Sequence, residues 1–398
     1  MRNLNQTVSC MMALLLWFST SVTSVAAETA LLADLQKKMR NSPASSVLFF
    51  SEAERRVAFK SSDLLYPTRE IKAGSAVYPL GERPTDILSM DYELKNRKYT
   101  LNDFFKMPYS MGFLVVQDGN VLFEYYAAGN DRNTRWISFS VAKSVTSMLI
   151  GAAIKDGYIA SVDEPASNYL PRLRGTPYET VTIENILQMS SGVGWNEDYE
   201  DPNSDVARAG SANGLELVDY LSQLPRQAKP GEVFNYNTGE TNLVGEILRA
   251  AIGNNASTYL TYKIWQPYGM ESDASWMTNV PGGVETGGCC INATLRDYAR
   301  IGLFAMSGGV LADGTAVLPD GWMMDSITPS KGYVGYGYLW WPHGDGAYSA
   351  RGIFQQQIYI NPAQDLVIAV HGNAPTAVGS EYSQHLSQVI PAIARQLK

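Results

Sequence analysis

Histidine and cysteine are both scarce in this chain. Among 398 residues there are three histidines, His343, His371 and His385, and three cysteines. No histidines form a His-x-x-x-His pair and the cysteines form no spaced clusters, so no metal site and no cofactor is expected. Cys289 and Cys290 are adjacent in sequence and so cannot staple distant parts of a fold. They are expected to pack as two small apolar residues beside a loop, with a strained vicinal disulfide as the alternative.

Charge is also sparse, at 18% of residues, and its balance is −8. A chain of this sign has nothing to neutralise phosphates, which excludes a nucleic-acid partner. No block of like charges marks a tail. Long apolar runs are missing too. Met11–Phe18 is far shorter than the roughly 20 residues a membrane span needs. It follows Arg2 and precedes Val25-Ala26-Ala27, the pattern of a secretory signal over residues 1–27, cleaved before Glu28. The mature protein is therefore expected to be exported, periplasmic or secreted, without a stable membrane anchor. No apolar run precedes Cys10, so no lipoprotein signal is read there.

After the signal, residues 28–108 show a short helix at Ala30–Met39 and then recurring proline, glycine and tyrosine without a sustained period. This reads as an irregular arm. Residues 109–398 read as one domain. Gly112–Tyr126 is two β-rich runs around Asp118-Gly119, a hairpin signal. Val141–Ile154 is apolar around most of its circumference at helical spacing, which predicts a central helix ended by Gly157. Thr182–Met189, Leu215–Leu224, Thr241–Ile252 and Asn255–Trp265 are further helices, and residues 192–214 form a long polar loop. From Tyr336 the period becomes two. Tyr336–Trp341, Ala347–Gly352, Gln355–Asn361 and Leu366–His371 are predicted antiparallel strands, followed by a helix over Ser380–Leu397. Strands from both ends of the domain thus enclose a mostly helical region at about 140–310, an α+β arrangement.

Chemistry points first to Ser140-Val141-Ala142-Lys143. Chance alone supplies about one Ser-x-x-Lys in a chain of this size, so its context matters. Here the tetrad opens the central helix. One turn brings both side chains to the same groove, and the helix N-terminus favours negative charge. A serine hydroxyl needs a base, and lysine is one only when burial holds it neutral. A Ser-His-Asp scheme would leave His371 as the only base, with no Gly-x-Ser-x-Gly elbow to support it.

With Tyr236-Asn237-Thr238 and Ser349-Ala350-Arg351-Gly352, the tetrad resembles the three motifs of serine β-lactamase-like hydrolases. These are the class C β-lactamases, DD-peptidases, family VIII esterases and 6-aminohexanoate-dimer hydrolases. The style of the FSVAKSVTS and YNTGE segments is nearest to the last group. The resemblance covers roughly residues 100–375. It implies an antiparallel sheet flanked by helices, with the helical region inserted, and no cofactor or metal. It also implies an acyl-enzyme on Ser140, Lys143 taking the proton, Tyr236 shuttling it to the leaving group, and an oxyanion hole from the Ser140 and Ile353 amides beside Gly352. The substrate would be a small-molecule amide or ester, with β-lactam or peptide hydrolysis or a catalytically inactive peptide binder as alternatives. Two positions depart from the family pattern. Thr238 stands where an amide is usual, and Ala350 where a substrate-binding lysine is usual, which argues against efficient β-lactam turnover. Strand alternation turns Arg351 away from the side that Ala350 faces. The expected substrate rim comprises Trp195, Tyr199, Asn237 and Trp340. Trp340 and Trp341 occupy opposite faces, so one of them belongs to the core.

Overall fold

The computed structural model describes residues 26–41 and 44–397; the expected signal segment lies almost wholly outside them. A seven-stranded sheet forms the backbone of the molecule. Its order is Trp341–Pro342, Tyr348–Gly352, Gln356–Asn361, Leu366–Gly372, Ser110–Gln117, Asn120–Tyr126 and Gly81–Glu82. All neighbours are antiparallel except the last pair, which is parallel. The expected hairpin is present, with Asp118 and Gly119 both at positive φ, as a two-residue turn of matching twist requires.

Side-chain alternation sends each strand into two cores. Leu114, Val116, Ile358, Val367 and Ala369 face one side, where they meet the central helix Val141–Lys155 and the helix Leu295–Met306. Phe113, Val115, Tyr359, Ile368 and Val370 face the other, under the C-terminal helix Glu381–Gln396. The fold is therefore α+β, an antiparallel sheet between helical layers, with the helical block running between the strands of its two halves. Among the described residues no helix is long and apolar enough to cross a membrane.

Three features differ from the sequence reading. A second, four-stranded sheet is present, in the order Thr68–Ile71, Ala274–Met277, Ile291–Thr294, Arg135–Ile137. Tyr336–Trp340 is not a strand. Leu339 sits at φ +62 and its amide bonds Gly337 O, so the chain turns there and pairs only from Trp341. The polar stretch 192–214 contains a short helix, Asp205–Ala209, capped by Ser204.

The N-terminal segment holds more regular structure than its composition suggests. A helix spans residues 26–40. Ala44–Phe49 is a 3-10 turn, and Glu52–Lys60 is a helix closed by a capping box between Ser51 and Glu54. Its Phe59 ring meets Trp136 and Phe139 edge-on at 5.7 and 5.0 Å. Those contacts join the segment to the turn that precedes Ser140 in a third core, which also holds Tyr66, Met277 and Ile353.

Candidate active site

The route into the site is a strained turn. Arg135–Ile137 pairs with Ile291–Thr294, and Ser138 extends the clamp. Its amide donates to Ile291 O and its hydroxyl accepts from the Ile291 amide, both at 2.8 Å. Phe139 then takes φ +44, a left-handed conformation that costs a branched or bulky residue on the order of 1 kcal/mol or more. Its ring is held between Phe59 and Phe354. This turn sets Ser140 at the N-cap of the central helix with its hydroxyl not engaged in capping, the role such a serine would otherwise fill.

Lys143 is 1% exposed, and its ammonium nitrogen lies 3.2 Å from Ser140 Oγ. It also donates to Thr238 Oγ1 at 3.1 Å and to Gly288 O at 2.8 Å. Burial pulls its pKa down from 10.5 to about 8, against the opposing pull of Glu197. An amine so placed is able to accept a hydroxyl proton at mildly alkaline pH. Thr238, the hydroxyl in place of the usual amide, thus forms part of the lysine's cradle.

Tyr236 stands beside the pair. Lys143 Nζ is 5.5 Å from its ring centroid, and its phenol has a polar contact with Ser140. Burial and the Glu197 charge push the phenol pKa well above its ordinary value, so the group stays protonated. Its ring is fixed by Trp341, stacked at 5.9 Å, and by Tyr336, edge-on at 6.0 Å.

Gly352 brings the sheet edge against Ser140. A Cβ there would lie 2.5 Å from Ser138 O and 3.1 Å from Ser140 N, so only glycine permits the approach. Ile353 follows, at the wall of the same space. Among the described residues the Ser140 amide has no backbone acceptor. It is one of the orphan donors of a helix start, suited to an anion.

Two cavities meet at Ser140. One is an apolar chamber of about 70 Å³ whose walls include Phe139, Met277, Cys289, Cys290 and Ile353. The other is a cleft of about 340 Å³ whose walls include Glu197, Tyr199, Tyr236, Trp341 and Arg351.

The rim expectations fare unevenly. Tyr199 lines both cavities. Trp340 does not belong to the rim. It is fully buried, edge-on to Tyr348, and the cleft residue is Trp341. Trp195 is also buried, against Tyr220 and Gly239, with its indole N–H on Glu197. Asn237 lies in the interior, where its side chain caps the helix Thr238–Ile252 by accepting from the Glu240 amide at 2.9 Å. Ala350 and Arg351 do alternate, but it is Arg351 that reaches the cleft, its guanidinium 5.5 Å from the Trp341 ring, while Ala350 is buried in the core. His371 packs between Trp136 and Tyr298 with its pKa lowered by burial to about 3, away from Ser140. Cys289 and Cys290 are joined as a vicinal disulfide rather than packed as unlinked residues.

Three contributors were missed. Glu197 accepts from the Thr238 amide at 3.0 Å, from Tyr199 OH at 2.7 Å and from the Thr238 hydroxyl. Nothing distinguishes it in sequence from its acidic neighbours. Asn242 accepts from the Gly288 amide at 2.8 Å and donates to Gly210 O and Ala212 O, tying the lysine's cradle to the loop. Its spacing of four from Thr238 is the signal that places both on one helix face. Gly288 is the third. A Cβ on it would sit 3.0 Å from Lys143 Nζ.

Comparison with known proteins bears on the fold and the family. The chain is 29% identical over 281 residues to the 6-aminohexanoate-dimer hydrolase of Paenarthrobacter ureafaciens, covering 64% of this chain and 70% of that one. Its fold is similar to the solved structure of a candidate 6-aminohexanoate-dimer hydrolase from Bacillus anthracis, with a TM-score of 0.76 at 22% identity over 86% of this chain and 94% of the other. A penicillin-binding protein from Bacillus halodurans superposes with a TM-score of 0.57 at 19% identity, over 74% of this chain and 98% of that one. Residues 109–385 match the sequence pattern of the beta-lactamase family, and with a hydrolase relative aligned across the same region, the chain belongs to that family of hydrolases.

Proposed function

We propose that this protein is an exported serine hydrolase that cleaves a small-molecule amide or ester through an acyl-enzyme on Ser140. One observation carries the reading: a fully buried lysine whose nitrogen lies 3.2 Å from a serine hydroxyl that does no capping work. Neutral Lys143 takes the hydroxyl proton as Oγ attacks the carbonyl carbon. The developing oxyanion is received by the Ser140 and Ile353 amides. Lys143 returns the proton through the Tyr236 phenol to the leaving nitrogen or oxygen. That bond breaks and leaves the Ser140 ester. Water, deprotonated by the same pair, then attacks the ester, releases the acid and restores Ser140. No metal or cofactor takes part in these steps.

The likeness to 6-aminohexanoate-dimer hydrolases supports a linear amide as substrate. Ala350, in place of a carboxylate-binding lysine, weighs against β-lactams. The uncharged chamber favours a second reading, ester hydrolysis. The test is hydrolysis of p-nitrophenyl acetate with fluorophosphonate labelling, on wild type and Ser140→Ala. Turnover and labelling are expected in wild type only. Equal behaviour of the two would reject the reading, and with it catalysis at Ser140. Rates on a linear amide dimer, a short ester and a cephalosporin then rank the substrates. Export is tested by the N-terminus of the processed protein, expected at Glu28.

A further inference from the structure

The family match begins at residue 109, yet part of the chamber wall comes from earlier in the chain. Val47 and Leu48, in the 3-10 turn, and Tyr66 line it together with Phe139, Met277 and Ile353. The turn is seated by contact with the helix Asp205–Ala209, and Tyr66 belongs to the third core. No charged side chain lines the chamber among the described residues. Tyr236 lines the cleft and not the chamber. Where Tyr236 protonates the leaving group, the leaving group occupies the cleft, and the acyl portion extends to the other side of Ser140.

We propose that Val47, Leu48 and Tyr66 set the acyl specificity of this enzyme, so that the chamber accepts a short, uncharged aliphatic acyl group whose length the N-terminal segment limits. This rests on the acyl-enzyme reading of Ser140. The chamber, at about 70 Å³, is less than half the size of a cavity of about 150 Å³ that just admits benzene. A chain much beyond butyryl outgrows this space, of whose wall Val47 and Leu48 form part. An acyl chain ending in an ammonium would bury that charge among uncharged walls, with the nearby Glu197 carboxylate already bonded to Thr238 and Tyr199, which is strongly unfavourable.

The test is kcat/KM for p-nitrophenyl acetate, butyrate, hexanoate, octanoate and 6-aminohexanoate on wild type, Val47→Ala, Leu48→Ala and Leu48→Phe. Each preference is a ratio measured within one variant, so partial unfolding cancels. Wild type is expected to favour butyrate over octanoate by about tenfold or more, the scale of a few misfitting methylenes. Both alanine variants should raise the octanoate-to-acetate ratio by about tenfold, and Leu48→Phe should lower the butyrate-to-acetate ratio. Hexanoate should exceed 6-aminohexanoate. Unchanged ratios in all three variants, or faster cleavage of the 6-aminohexanoate ester, would overturn the proposal while leaving Ser140 catalysis standing. Absence of fluorophosphonate labelling in wild type would overturn both.

Discussion

The chamber and the cleft share Ser140, Tyr199 and Ile353, and differ in the rest of their described walls. The chamber is small, apolar and without charge, and is closed partly by residues ahead of the family match. The cleft is nearly five times larger and holds Glu197, Tyr236 and Arg351. Charged and phenolic side chains therefore crowd one side of Ser140, and largely apolar walls shape the other. Substitutions of the ionisable cleft residues should act on chemistry, and substitutions of the apolar walls on fit.

The sharpest way to break this division is Lys143→Met, which removes the amine beside Ser140 on which the proposed acylation depends for every substrate. Activity should fall on the order of 10³-fold for every substrate. In wild type, kcat/KM should rise as pH passes about 8, because Lys143 acts only when neutral. Stability follows the same group. Folding depresses its pKa from 10.5 to about 8, so in that window the unfolded chain binds more protons, and wild-type stability should rise with pH by up to roughly 3 kcal/mol. Below about 8 this gain is absent. Urea unfolding at pH 7 and pH 10 should therefore show the wild type gaining on Lys143→Met as pH increases.

Gly352→Ala comes next. Its Cβ would push the strand from Ser138 and Ser140, and loss of one oxyanion donor should lower kcat about 10²- to 10³-fold in steady-state assays. Tyr236→Phe tests the cleft side alone. An amide should lose about 10²-fold, whereas a p-nitrophenyl ester, whose leaving group needs no proton, should lose far less. Equal losses would remove Tyr236 from the leaving-group side. The smallest effect on activity is expected from the tryptophans. Trp341→Ala should raise KM severalfold through the cleft wall. Trp340→Ala should cost about 3–5 kcal/mol of stability, with its catalytic effect limited to lost folded protein, as thermal melts would show.

Much of this site could be read from sequence because covalent spacing or periodicity forces it. Ser140 and Lys143 lie one helical turn apart, and the strand at Tyr348–Gly352 must present alternate residues to opposite faces. Gly352 was marked by its place beside the third motif. The missed parts depend on tertiary meetings with no local signature. Glu197 reaches Thr238 only because the polar loop folds back over the helix start. The Trp340–Trp341 choice could not be made from alternation, which places them apart without saying which side is core. The small second sheet escaped because its strands are three or four residues long and come from four distant segments. The 28–108 arm has no sustained period, since after its first helix the elements are short and held by contacts with the main body.

The two sheet halves are joined by one seam, Ser110–Gln117 against Leu366–Gly372, with Val115 opposite Ile368. Ser140 and Lys143 lie early in the stretch between them, and the strand carrying Gly352 comes just before the second half closes. Ser140 and Lys143 can thus exist in a growing chain well before the strand that carries Gly352 closes against them. Ring closure over so long a span is slow and non-local. Hydrolytic competence should therefore appear as one late step of folding, and a chain ending before Leu366 should hold its serine and lysine without being an enzyme.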